Sequence, residues 1–62
     1  MTLSDLKDIW YMGNWNDINF VNTCYNMLMG MNVLTDEDRI RYDDLNDSIR
    51  RAMRRYLFKA VR

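Results

Sequence analysis

Sixty-two residues make one domain at most, and a chain this short buries only ~60% of the surface its unfolded form exposes. With Cys24 as the only cysteine and no histidine, an intrachain disulfide and a Cys/His zinc site are both excluded, so stability rests on close helix packing or on another chain. The net charge is zero, yet residues 49–62 carry six bases and no acid while residues 1–48 hold nine carboxylates against three bases, a split of −6 and +6 that suggests an anionic partner.

Met1-Thr2-Leu3-Ser4-Asp5 lacks the basic flank and apolar run of a signal peptide. No apolar stretch approaches the ~20 residues needed to span a bilayer, and a lone thiol fits a reducing compartment. A cytoplasmic location and no membrane partner are therefore expected.

Thr2-Leu3-Ser4-Asp5 reads as a capping box with Asp in place of the usual Glu or Gln, and Leu6, Ile9 and Trp10 follow at helical spacing. Gly13 is placed to end this helix in the left-handed conformation. Asn14 is the next N-cap candidate, with Asp17 near the positive end of the dipole. In the helix it opens, Asn16, Asn19, Asn22, Thr23 and Asn26 gather on one side, and Ile18, Phe20, Val21, Cys24, Tyr25, Met27, Leu28 and Met29 fill most of the rest. That apolar arc is wider than the ~100° stripe of an ordinary surface helix, which makes this element the centre of the domain or part of an interface. Gly30 offers a stop.

Thr35-Asp36-Glu37-Asp38 is the clearest start signal, a capping threonine before three carboxylates of a first turn. Tyr42, Leu45, Ile49, Ala52, Met53, Tyr56 and Ala60 then recur at spacings of three and four with no breaker. The expectation is one all-α domain over residues 1–62, built of two short helices at about 3–12 and 15–29 and a long amphipathic C-terminal helix at about 36–60.

Two surfaces are candidates for function. On the helical wheel Arg50, Arg51, Arg54, Arg55, Lys59 and Arg62 cover half of the C-terminal segment, with Phe58 inside the basic arc. Such a run serves either as a solvated, dipole-complementing face or as an anion-binding surface whose arginines match carboxylate or phosphate. Asp47 offsets Arg50 and Arg51 from the preceding turn, whereas Arg54, Arg55, Lys59 and Arg62 have no acidic neighbour along the helix. The second surface is the cluster of Trp10, Tyr11, Met12 and Trp15 around Gly13. In a chain with six methionines these residues either fill an adaptable core or meet another protein.

Catalytic signals are lacking. Cys24 has no activating partner in view, Ser4 and Ser48 have no base, and there is no glycine-rich phosphate loop. Asp43, Asp44 and Asp47 lack the loop spacing and glycine of a calcium hand. No enzyme activity, cofactor or metal is expected.

The functional expectation is a non-enzymatic protein-binding factor that uses Trp10, Tyr11, Trp15 and the basic face against a larger protein or a second copy of itself. Two alternatives stand beside it: a nucleic-acid-binding module using Arg50, Arg51, Arg54, Arg55, Phe58 and Lys59, and a structural homo-oligomer. The richness in Asn, Met and aromatics resembles that of small bacteriophage accessory proteins, a compositional likeness covering no motif. The surplus of interface residue types and the unpaired arginines suggest an inhibitor or modulator of a host protein, acting in the host cytoplasm if the chain is phage-encoded.

Overall fold

The capping box at Thr2 forms as its residues dictate. Thr2 Oγ1 accepts from the Asp5 backbone N–H at 3.2 Å, and Asp5 Oδ2 accepts from the Thr2 N–H at 3.1 Å. Helix α1 follows as Leu3–Met12, helix α2 spans Ile18–Met29 and helix α3 spans Asp36–Val61. The structure is a computed structural model and describes the backbone of residues 1–61 and the side chains of residues 1–55. Thr35 opens α3 by accepting the Asp38 N–H at 3.1 Å, with Asp36, Glu37 and Asp38 at the positive end of the dipole. No strand occurs among the described residues.

The carboxyl of Asp5 is held below its ordinary value of 3.8, first by the Thr2 backbone N–H and then by the Thr2 hydroxyl. A lowered folded value means that the capping contribution is complete above 3.8 and is lost as pH falls from there through the folded value. Thermal melts in acid should therefore show Asp5→Asn losing less stability than the wild type as pH drops below that range. Parallel curves would remove Asp5 from the acid response.

Helices α1 and α3 run the same way and α2 runs against both. The start of α1 lies beside Leu34 and Asp38, its end beside Asp44 and Ser48, and the end of α2 returns to Thr2 and Leu3. Between them lies a core of Leu3, Leu6 and Trp10 from α1, Val21, Cys24 and Leu28 from α2, and Leu45, Ile49 and Ala52 from α3. Tyr25, Met27, Met31, Tyr42 and Met53 are half-buried against it, with Met as the adaptable filler. The Cys24 thiol is 1% exposed, and desolvation pushes its pKa up. The molecule measures 41 × 18 × 16 Å, its long dimension set by the 26 residues of α3.

Three local expectations are corrected. Asn14 does not cap α2. It heads a turn in which its side chain accepts the Asn16 N–H at 3.0 Å and its carbonyl accepts the Asp17 N–H at 3.1 Å. Asp17 is the cap, accepting from the Asn19 N–H at 3.0 Å, so α2 begins at Ile18 rather than near residue 15. The extra turn is what brings Trp15 back onto α1. Ile9, at helical spacing with Leu6 and Trp10, and Ile18, in the apolar arc of α2, are 38% and 55% exposed, because the core does not reach the flank of α1 or the first turn of α2.

Nor does Gly13 take the left-handed conformation. Its φ of −89° and ψ of 175° are open to any residue, and glycine is required there for space. The ring of Phe20 lies where a Cβ would stand, whereas at Gly30 an added Cβ would come no closer than 3.7 Å to any neighbour. Gly13→Ala is expected to cost about 1–3 kcal/mol through overpacking. Gly30→Ala is expected to be neutral or to add up to about 1 kcal/mol by restricting the unfolded chain. Urea unfolding of both variants measures the difference, and equal midpoints would refute the steric account.

Candidate functional site

The turn at Asn14–Asp17 builds one wall of a groove. Folding back, Trp15 stacks on Trp10 with ring centroids 4.9 Å apart and planes 12° from parallel, and its Nε1–H donates to the Trp10 carbonyl at 2.6 Å. Phe20 stacks on Trp10 as well, at 5.8 Å and 3°. Trp10 is thereby wholly buried, and its Nε1–H crosses to α3 to donate to Ser48 Oγ at 2.9 Å. Tyr11, next along α1, faces outward: its hydroxyl donates to Asp44 Oδ2 at 3.2 Å, and its ring lies tilted against Trp15 at 5.7 Å.

The other wall is α3. Asp44, Asp47, Arg51 and Arg55 face Tyr11 and Trp15 across a groove of about 510 Å³, with Ser48 and Ala52 between them. It is acidic towards the start of α3 and basic towards its end. Arg51 pairs with Asp47 at 3.1 Å, but both side chains are well exposed, so this pair adds little stability. Among the described residues Arg55 has no carboxylate within ion-pair distance. A second, smaller cleft of about 230 Å³ lies on the α2 side, where Arg50, Met53 and Arg54 meet Tyr25. There Arg50 Nε–H donates to Asn46 Oδ1 at 3.2 Å, and Arg54 makes no ion pair among the described residues.

The basic arc is thus divided: Arg51 and Arg55 belong to the groove beside α1, Arg50 and Arg54 to the cleft beside α2. The side chains of Phe58 and Lys59, and Arg62 altogether, lie outside the described residues. Tyr11 and Trp15, which the sequence presents as a surface separate from the arginines, share one groove with Arg51 and Arg55. Trp10 is the correction: it offers no surface to a partner, because Trp15, Phe20 and Ser48 enclose it. Its role is to hold the residues that do face out.

Sequence reasoning missed Asp44 and Ser48 as the α3 anchors of Tyr11 and Trp10. Their four-residue spacing on one helix face is a weak signal, because nothing local links it to an aromatic pair 33 to 38 residues away. Among the described residues no group of three or more His, Cys, Asp or Glu side chains is placed to hold a metal ion, and no helix is long and apolar enough to cross a membrane. No protein-family model, curated protein or solved structure matches the chain.

Proposed function

We propose that the protein is a small non-enzymatic binding module that holds an acidic surface of a larger protein in the groove between the α1–α2 turn and α3. One observation carries this reading: Arg51 and Arg55 stand across a single groove from Tyr11 and Trp15. Tyrosine, tryptophan and arginine are the residue types most enriched at binding hot spots. Aromatic faces supply contact area at little conformational cost, and the guanidinium forks engage carboxylates bidentately. The mounting is rigid, since α1 is tied to α3 by the Trp10–Ser48 and Tyr11–Asp44 bonds and Trp15 is stacked on a buried ring. Rigid anchors lose less entropy on binding.

Affinity capture from bacterial lysate with the wild type and with Arg51→Glu/Arg55→Glu tests the reading. A stoichiometric protein partner is expected with the wild type. The double reversal should weaken it by about 2 kcal/mol or more, close to thirtyfold, while helicity is unchanged. Absence of any stoichiometric protein would count against the module. Binding of nucleic acid that falls steeply with salt would move the arginines to phosphate recognition instead.

A further inference from the structure

We infer that the outer face of α3 is a contact between two copies of this chain paired antiparallel through Asp43, Asp47, Arg50 and Arg54. At ~100° per residue these four positions fall within about 60° of one another, on the side of α3 opposite Leu45, Ile49 and Ala52. All four are exposed, and those three are buried. The stripe lies on the exposed side of α3; at its edges Asp47 lines the groove, and Arg50 and Arg54 line the cleft beside α2.

Order and spacing are what identify the partner. The steps from Asp43 to Asp47, Arg50 and Arg54 are four, three and four residues, the same read in either direction, and reversal exchanges acid for base. A two-fold axis requires that residue i of one copy meet residue j of the other and j meet i. Set across an axis between Ser48 and Ile49, Asp43 faces Arg54 and Asp47 faces Arg50, twice over. No register adjustment is needed. Parallel pairing would instead set carboxylate against carboxylate and arginine against arginine.

A single copy leaves this pattern unanswered. Among the described residues neither Asp43 nor Arg54 has an ion-pair partner, and along the helix they stand ~16 Å apart, too far to reach each other. Arg50 reaches only the neutral Asn46, and Asp47 holds only the exposed Arg51. Three residues before Asp43, Ile40 continues the stripe and is 71% exposed, an apolar side chain the fold does not use. Positions 40, 43, 47, 50 and 54 follow the alternating three-and-four spacing of a coiled-coil seam, with charges where apolar knobs usually stand. A neutral chain adds no net repulsion between copies, and its opposed charge blocks favour the antiparallel approach. Exposed ion pairs contribute little each and are screened by salt, so the dimer is weak and belongs to low ionic strength.

Sedimentation equilibrium of the full chain at low and high salt tests the inference. The wild type is expected to show a monomer–dimer equilibrium that moves to monomer as salt rises. Asp43→Lys/Asp47→Lys and Arg50→Glu/Arg54→Glu, checked for retained helicity by circular dichroism, should each lose the dimer, because like charges then face across the axis. Mixed in equal amounts, the two should form a one-to-one heterodimer tighter than the wild-type dimer. If a reversed variant loses helicity, the neutral pair Asp43→Asn/Arg54→Gln replaces it and must weaken the dimer. A wild type that stays monomeric at every concentration in low salt overturns the inference. So does a folded mixture that stays monomeric, or assembly that continues past two copies. Because Asp47 also lines the groove, Arg50→Glu/Arg54→Glu separates the two readings: its loss of the dimer with lysate capture intact would leave the groove reading standing, and the reverse outcome would leave the seam standing without it.

Discussion

Trp10→Ala is expected to leave a chain without a cooperative unfolding transition at room temperature. Trp10 is fully buried, stacked with two aromatic rings and bonded to α3 through Ser48. Truncating a buried tryptophan costs about 3–5 kcal/mol, and a single core in a domain of this size rarely supplies more than about 3–5 kcal/mol in total. The loss equals the whole margin. Trp10→Phe keeps a ring between α1 and α3 but removes the Nε1–H, so a smaller loss with the transition retained is expected. Near-ultraviolet circular dichroism and urea titration read both variants. A Trp10→Ala chain with the wild-type midpoint would return Trp10 to the surface and with it the aromatic site read from sequence.

The fold is legible in the sequence where a few adjacent residues decide the outcome. The capping box at Thr2 and Asp5, the cap at Thr35, and the core spacing of Leu45, Ile49 and Ala52 follow from local hydrogen-bond chemistry and helical period, and the structure repeats them. It is not legible where a side chain from elsewhere in the fold decides. Trp10, Tyr11 and Trp15 look alike on the page; the burial of Trp10 and the outward turn of Tyr11 are settled by Trp15 and Phe20 and by Ser48 and Asp44, the last two 33 to 38 residues away. Asn14 and Asp17 are both good caps, and the choice between them follows from Trp15 needing a turn that returns it to α1. At Gly13 the sequence suggests a conformational reason, whereas the reason is steric, since the ring of Phe20, seven residues on, occupies the space a Cβ would need. The arginines appeared as one arc on a single helix, and only the positions of α1 and α2 divide them between two clefts.

The second large effect separates the two faces of α3 with one kind of substitution. Ile49 is 0% exposed and Ile40 is 71% exposed, on the same helix nine residues apart. Ile49→Ala should destabilise by about 2–5 kcal/mol, since it removes buried methyl and methylene groups and leaves a cavity that a three-helix core cannot close. Ile40→Ala should change stability by no more than about 0.5 kcal/mol, because its side chain already meets solvent in the folded monomer. Denaturant midpoints measured on dilute protein make the comparison, and dilution keeps self-association out of it. Equal losses would mean that α3 is rotated from the register its core spacing implies. The same pair then distinguishes folding from association. In concentrated, low-salt samples Ile40→Ala should lower the dimer fraction while its dilute midpoint stays put, the signature of a side chain whose partner is a second copy. A variant silent in both measurements would leave Ile40 an ordinary exposed residue and confine the seam to its four charges.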